Sequence, residues 1–482
     1  MNVIEEHAGY LPGLDADAVD RQAMAYGPKG AEISVLLPVL HEGQVSQLAG
    51  HVREQARLKL KSQPVGQIID AIDLAVTRLL DRQDPYRRRM DHLLPIITGY
   101  DREMVCLGLT GYLKTFRKPQ LQRFLAEDFV NPAILDNFQP LPKGGMGRAF
   151  GPKILAHVWA GNVPGLPLWS MVAGLLVKAG NIGKVPSAEP LFAGWFAQLF
   201  AEVAPELADC LAVVWWQGGN DVLETAVLNE ADLVLGYGSN ESLAAIQSRV
   251  PITKRFLAFG HKVSFAMVSA AALNASKVSA TARLMAYDVA RYDQQGCYSP
   301  HVVFVERGGS VSPERFAQYL AHELAGFEEK FPLRPLSLAE ASGIVAWRNM
   351  EEMLPGGQVF GAASGTWTVS YQAKDKVFLP SCLNRTIRVV GIDSLANVPA
   401  ILAPFRTLLQ TAGIAAPPAE LLALASALGE VGVTRISAIG DMTSPEAGWH
   451  HDGRFNLLDL VEITEIDGRA EGAADRLSSY DD

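Results

Sequence analysis

Cysteine is scarce in this chain: 482 residues hold four, Cys106, Cys210, Cys297 and Cys382. They are widely scattered, form no Cys-x-x-Cys pair and have no histidines beside them at metal-ligand spacing. A disulfide framework and a structural zinc site are thereby excluded, and a reducing compartment is expected. Long hydrophobic runs are missing as well; none approaches the roughly 20 residues that span a bilayer. The N-terminal stretch "MNVIEEHAGYLPGLDADAVD" carries acids where a secretory leader needs basic and then apolar residues. The expectation is a cytoplasmic protein without a membrane span. Basic charge is in deficit, with 42 Lys and Arg against 52 Asp and Glu and a formal net charge of −10. Phosphate neutralisation needs a basic face, so no nucleic-acid partner is expected. The short cluster "DPYRRRMDHL" reads as a solvated helix face. Internal repeats and low-complexity tracts are absent.

What is there is an ordinary globular balance, 49% hydrophobic and 20% charged residues, at a length that supports two large domains. The first roughly 135 residues read mostly helical, because "VGQIIDAIDLAVTRLLDR" sets apolar residues at helical spacing and "LTGYLKTFRKPQLQRFLAEDF" continues in broken helices. The Pro- and Gly-rich "QPLPKGGMGRAFGPK" then marks a loop or an exposed hairpin. Beyond it, strand runs ("ILAHVWAG", "NIGKVPS", "LAVVWWQGG", "DLVLGYGS") alternate with helices ("LPLWSMVAGLLVKAG", "PLFAGWFAQLFAEVAP", "DVLETAVLNEA", "NESLAAIQSRV"). Such alternation implies an α/β protein with a parallel sheet covered on both faces.

Open parallel sheets bind ligands beyond the carboxyl ends of their strands, so the loops that follow the strands carry the candidates. In "WAGNVPGLP" a rigid loop holds one amide donor, Asn162, which taken alone reads first as the cap of the next helix. In "GYGSNES", Gly236 and Gly238 allow a backbone to approach a phosphate, and Ser239 opens a helix whose N-terminus attracts anions. The third glycine of G-x-G-x-x-G is missing, since Glu241 stands there, so a plain strand-to-helix turn fits as well. In "NIGKVPSAEP", Lys184 and Ser187 sit at a strand end, where a lysine is commonly just solvated. Cys297, in "DQQGCYSPHVVFVE", stands at the break between a polar loop and an apolar run; it is either an exposed nucleophile or a small apolar filler.

The order of these segments, with "FGHKVSF" next and Cys297 last, resembles the aldehyde dehydrogenase superfamily. There an Asn loop, a Lys-Pro-Ser turn, a Gly-Ser helix start, a Glu-Leu-Gly-Gly-Lys segment and a nucleophilic cysteine follow one another. Within it, "KRFLAFGHKVSFAMV", "DQQGCYSPHVVFVE" and "GDMTSPEAGWHHDGRFNLLDLVEITEID" are similar to the acyl-CoA reductase branch, which includes the fatty acid reductase of bacterial bioluminescence systems. The resemblance covers Arg148 to Pro300 well and the rest more loosely.

It implies that Cys297 is the nucleophile, and that Asn162 with the Cys297 backbone N–H binds the oxyanion. Lys184 would lie near the adenosine ribose, with Gly238 and Ser239 at the start of the cofactor-binding helix. "AFGHK" puts Ala258 where oxidising relatives carry the glutamate that activates water, so a thioacyl enzyme would persist until hydride arrives. The implied activity is NADPH-dependent reduction of an acyl-CoA to the aldehyde, with CoA as leaving group. Ser187, where NAD-preferring relatives have a ribose-binding glutamate, favours NADPH; a one-residue shift would bring Glu189 there instead, so NADH stays open. In "SCLNRTIRVV", where the superfamily has an acid before Phe-Gly-Pro, no matching carboxylate is present. His157 and His261 are candidate proton carriers but fit core or surface positions too. Other readings are a cysteine acyltransferase or thioesterase, a CoA-acylating aldehyde dehydrogenase running oxidatively, and a non-catalytic acyl-binding relative.

The implied fold is aldehyde dehydrogenase-like: a Rossmann-type NADP(H) domain at 1–263, a catalytic α/β domain at 264–447 and a C-terminal strand or arm at 448–482. An oligomerisation hairpin is expected at 136–150, and with it a homodimer or tetramer. An acyl-transferring partner enzyme stays open as the acyl donor. "WHHDGRFNLLDLVEI" reads as a turn and a buried strand, its paired histidines assigned to no metal.

Overall fold

The alternating apolar runs fold into two α/β units. A computed structural model describes residues 4–373 and 377–478. One unit comprises Met1–Ile97, Thr110–Gly260 and Glu446–Asp482; the other comprises Thr98–Leu109 and His261–Pro445. Thr98–Leu109, which the sequence groups with the first domain, thus belongs to the second unit, and the C-terminal segment belongs to the first.

In the first unit the runs "ILAHV", "LAVV" and "LVLGY" are buried nearly throughout, as parallel strands covered on both faces must be. Five parallel strands stand in the order Arg255–Phe259, Leu233–Tyr237, Ile154–Val158, Gly180–Lys184, Leu211–Val214. The order reverses between Ile154–Val158 and Leu233–Tyr237, which opens a crevice at their carboxyl ends. Helices Glu42–Gln55 and Asp221–Glu230 cover one face through Val45, Leu48, Val52, Leu223 and Val227. Helix Val65–Leu80 turns Ile68, Ile69, Ile72, Val76 and Leu79 inward, the stripe its spacing predicts.

The residues before that helix are not mainly helical. Strands Ile4–His7, Asp20–Tyr26 and Ile33–Val39 form a three-stranded sheet with Ile33–Val39 in the centre. Ile33, Val35 and Leu37 alternate inward, a period of two that the helical expectation overlooked. The hairpin exists as Gln139–Pro140 paired with Met146–Phe150, and Glu462–Ile466 adds antiparallel to its other side. That last strand corrects the expectation of a buried one: it is exposed at every position but Ile466. Glu462 and Glu465 blunt its outer edge.

The second unit holds seven strands in the order Gln358–Gly361, Thr368–Gln372, Thr386–Ile392, Pro300–Glu306, Val263–Val268, Leu409–Ala415, Arg435–Ala438. All neighbours are parallel except the first pair. Helices Val278–Ala290 and Pro313–Lys330 pack on one face through Met285, Val289, Phe316 and Leu320. Val398, Leu402, Leu424 and Leu428 cover the other. Among the described residues no helix is long and apolar enough to cross a membrane.

Candidate active site

Cys297 lies in the second unit, between helix Val278–Ala290 and strand Pro300–Glu306. It therefore precedes its strand, at the amino end of the sheet, and the rule about carboxyl-end loops does not locate it. Three successive residues before it, Tyr292, Asp293 and Gln294, have φ of 46°, 50° and 68°. Such left-handed backbone is costly for residues with side chains, about 1–3 kcal/mol each, and survives only where the surroundings fix it.

They do so here. The Asp293 carboxylate is 1% exposed and the Arg385 guanidinium 0%, and they pair at 2.7 Å and 2.9 Å. The Arg334 N–H donates to the other Asp293 oxygen at 3.2 Å, and Arg385 also reaches Glu328 at 2.7 Å. Burial raises the carboxyl's pKa, while Arg385 and the Arg334 N–H oppose the rise. Arg385 itself ends a second left-handed triplet, Leu383, Asn384 and Arg385. The two triplets are stitched together: Asn384 N–H donates to the Asp293 carbonyl at 3.1 Å, and Thr386 N–H to Gln294 Oε1 at 3.1 Å. Gln294 Nε2 donates onward to the carbonyls of Pro300 and Thr386, at 2.6 and 2.9 Å.

Gly296 is required next, because a Cβ there would lie 2.3 Å from the Tyr298 ring. The Ser264 hydroxyl donates to the Cys297 carbonyl at 2.8 Å and accepts the Thr411 N–H at 3.1 Å. The Arg435 guanidinium, held by the carbonyls of Met442 and Asp441 at 2.6 and 2.9 Å, interacts electrostatically with Cys297 and Tyr298. Its charge has the sign that a thiolate requires. Exposure alone does not single out Cys297, since Cys106 and Cys382 are also partly exposed. Burial pushes the Cys210 thiol up to about 12 and also raises that of Cys382. Sequence reasoning missed Ser264, Asp293, Gln294, Arg385 and Arg435; the only signal was polar residues crowded into "DQQG" and "NRT".

The other candidates belong to the first unit, at the carboxyl ends of its sheet. Asn162 is exposed in the loop after Ile154–Val158. It caps no helix: the next one, Pro167–Leu176, starts after Leu166 without a side-chain cap. Its neighbour Gly161 packs so close to Pro186 that a Cβ would lie 2.9 Å from that ring, which brings the Asn162 loop onto the Lys184–Ser187 turn. Lys184 is largely buried, with its ammonium 5.9 Å from the Trp216 ring; burial lowers its pKa and Glu224 opposes this. The Ser187 hydroxyl accepts from Trp215 Nε1 at 3.1 Å, and its carbonyl from the Tyr26 hydroxyl at 2.7 Å.

Glu189, the alternative ribose carboxylate, is 2% exposed and turns inward, where Oε1 accepts the N–H groups of Leu191 and Phe192 at 2.9 Å each. It is a helix cap. Gly236 also has a packing role, since a Cβ there would meet Leu243 at 2.8 Å and Phe256 at 2.9 Å. Gly238 is open, with Ser242 the nearest neighbour of a Cβ at 3.7 Å, and Ser239 caps Asn240–Gln247 through the Ser242 N–H at 3.2 Å. His157 is a core residue: it stacks on Trp159, bonds Asn181 at 2.9 Å, and burial takes its pKa down to about 4. His451 stacks on Phe259 with ring centroids 4.7 Å apart.

The buried pair behind Cys297 gives a stability test. Arg385→Met leaves the Asp293 carboxylate uncompensated and is expected to cost about 3–5 kcal/mol, read as a lower urea midpoint. Asp293→Leu together with Arg385→Met should recover much of that loss; a single Arg385→Met at wild-type stability refutes the anchoring role.

Comparison with known proteins bears on the family and the fold. A family model described as acyl-CoA reductase (LuxC) matches residues 60–463. The long-chain acyl-protein thioester reductase of Aliivibrio fischeri is 25% identical over 436 residues, covering 89% of this chain and 86% of that protein. The long-chain acyl-protein thioester reductase 2 of Photobacterium leiognathi is 25% identical over 396 residues, 79% of this chain and 78% of the relative. Among solved structures, aldehyde dehydrogenase 21 of Physcomitrella patens superposes with a TM-score of 0.74 at 13% identity, covering 97% of this chain and 99% of that one. The NADP-dependent glyceraldehyde-3-phosphate dehydrogenase of Bacillus halodurans C-125, complexed with NADP, gives 0.72 at 12% identity, with 96% and 99% covered. With the fold that of the aldehyde dehydrogenases and the family model spanning most of its length, the chain belongs to the acyl-CoA reductase (LuxC) family.

Proposed function

We propose that this protein reduces a long-chain acyl thioester to the aldehyde with NADPH, through a thioacyl enzyme on Cys297. The observation that carries the proposal is the rigid presentation of Cys297, whose backbone is fixed from behind by Asp293, Gln294, Arg385 and Ser264. Cys297 Sγ attacks the thioester carbonyl, the C–S bond of the donor breaks, and the donor leaves as a thiolate. The Asn162 amide and the Cys297 N–H are assigned to the developing oxyanion. An acyl-carrying protein is the donor that the names of the two relatives suggest, with CoA the donor that the family description suggests.

Residues of the first unit fit a nicotinamide dinucleotide. The helix start at Ser239 and the open Gly238 lie beside the reversal of strand order, where a phosphate can approach backbone N–H groups. Lys184 would serve the ribose side, and Glu189, turned inward, does not face a 2′-phosphate there. The bound cofactor supplies the hydride that reduces the thioacyl carbon. Ala258, on strand Arg255–Phe259, offers no base to water, so the thioester is held for reduction. We also assign the strand Glu462–Ile466 and its hairpin to a homodimer or tetramer; a monomer by light scattering overturns that assignment.

Incubation with a long-chain acyl-CoA, or with an acyl carrier protein charged with the same chain, should label Cys297 by mass spectrometry, and NADPH should then be consumed with aldehyde release. Cys297→Ala is expected to lose both label and aldehyde while still binding NADPH. Asn162→Ala should keep binding and lose turnover by about 10²–10³-fold. Reduction at the wild-type rate in Cys297→Ala would sink the mechanism.

Ala258→Glu tests why the reaction stops at aldehyde. A glutamate desolvated there is raised toward neutral pKa and can accept a proton from water. Fatty acid should appear without NADPH, with less aldehyde per donor thiol freed. If the labelled variant makes no extra acid, the missing carboxylate is incidental to reduction.

A further inference from the structure

The turn that opens "GDMTSPEAGWHHDG" is held from two sides, and both lead to Cys297. On one side stands Asp288, 0% exposed near the end of helix Val278–Ala290. Its Oδ2 accepts the Gly440 N–H at 2.6 Å. Burial raises the carboxyl's pKa to about 7, and the N–H groups of Gly440, Thr443 and Met442 pull it back. Three residues further along the chain, Arg291 donates to the Ser444 hydroxyl at 2.7 Å. Gly440 makes the close approach possible: its φ is 99°, and a Cβ there would lie 2.7 Å from Leu284 Cδ2 and 3.1 Å from Leu284 Cβ, on the same helix.

On the other side stands Arg435, at the start of the edge strand Arg435–Ala438. Its guanidinium donates to the Met442 carbonyl at 2.6 Å, the Asp441 carbonyl at 2.9 Å and the Ser437 hydroxyl at 3.4 Å. The carbonyls of the turn thus hold Arg435, while its N–H groups face Asp288. Burial lowers the pKa of Arg435, and Asp288, Tyr298, Asp441 and Cys297 oppose this. Asp441 is exposed, so water screens its charge. A carboxyl buried like Asp288 costs stability that an apolar side chain would not. What it supplies is an acceptor that fixes the turn.

We propose that Asp288 is a positioning residue for Cys297: it pins the Gly440–Thr443 turn, the carbonyls of that turn aim Arg435, and Arg435 favours the thiolate. The proposal rests on Cys297 as the reacting thiol. Asp288 acts through the turn and not by its own charge, which has the sign that opposes a thiolate. The two effects are therefore distinguishable by direction. Loss of an anion alone makes a nearby thiolate easier to form; loss of the aim of Arg435 makes it harder.

The rate of iodoacetamide alkylation at Cys297, followed against pH by mass spectrometry on the full chain without substrate, reads the thiolate fraction. Asp288→Ala should leave roughly tenfold less thiolate at neutral pH, the scale of one displaced neighbouring charge. Asp288→Asn keeps an acceptor for the Gly440 N–H and should alkylate at least as fast as the wild type. Gly440→Ala leaves the carboxyl in place but forces the turn away from Leu284, and should slow alkylation as Asp288→Ala does; it decides the matter if Asp288→Ala does not fold. In an Arg435→Met background, Asp288→Ala should produce no further slowing. Unchanged or faster alkylation in Asp288→Ala or Gly440→Ala, equal slowing in Asp288→Asn, or additional slowing in the Arg435→Met background overturns the proposal. Alkylation requires neither acyl donor nor NADPH, so its outcome is separate from acyl labelling, which tests the reductase itself.

Discussion

The Asp293–Arg385 ion pair is the constraint on which the Cys297 end of the second unit depends. Both groups are fully withdrawn from water, and together they lock two left-handed triplets that come from distant parts of the chain. Each triplet is joined to the other by backbone and side-chain hydrogen bonds. Cys297 is thus positioned by a knot of polar groups inside an apolar frame. The frame is the sheet and its two covering helices, which bury Val289, Phe316 and Leu320 against it. Loss of one knot residue leaves another's charge or amide stranded in low dielectric, so the arrangement is stiff as well as specific.

The candidate cofactor side of the first unit is built by different means. Tight packing does there what ion pairing does behind Cys297: Gly161 admits the Pro186 ring, and Gly236 admits Leu243 and Phe256. These close approaches bring the Asn162 loop onto the Lys184–Ser187 turn and the helix that Ser239 caps onto its strand. Glu189, a carboxylate in sequence reach of the ribose position, is spent on capping the next helix.

Most of the fold was legible because parallel strands buried on both faces produce long apolar runs, and helices such as Val65–Leu80 keep a clear stripe. The N-terminal sheet was not, because Asp20–Tyr26 is mostly exposed and carries no apolar alternation. Cys297 was legible from its place between a polar loop and an apolar strand. Its supports were not: Asp293, Gln294 and Arg385 look like surface residues until the tertiary structure buries them. In "SCLNRTIRVV" an expected carboxylate was missing, and the structure gives Asn384 and Arg385 another task there, bracing the loop before Cys297. Gly236 has a packing role that was not legible, because a glycine needed for packing and one needed for a phosphate look alike in sequence.

The return of Glu446–Asp482 to the first unit has a consequence for biosynthesis. Arg255, on the edge strand of the five-stranded sheet, donates to the carbonyls of Asp459 and Leu460 at 3.0 and 3.1 Å, and Glu462–Ile466 closes the hairpin sheet. All of His261–Pro445 is translated before those partners exist. On the ribosome, the first unit therefore waits with an open edge until Glu446 and the residues after it have emerged, while the thiol-bearing unit can already fold.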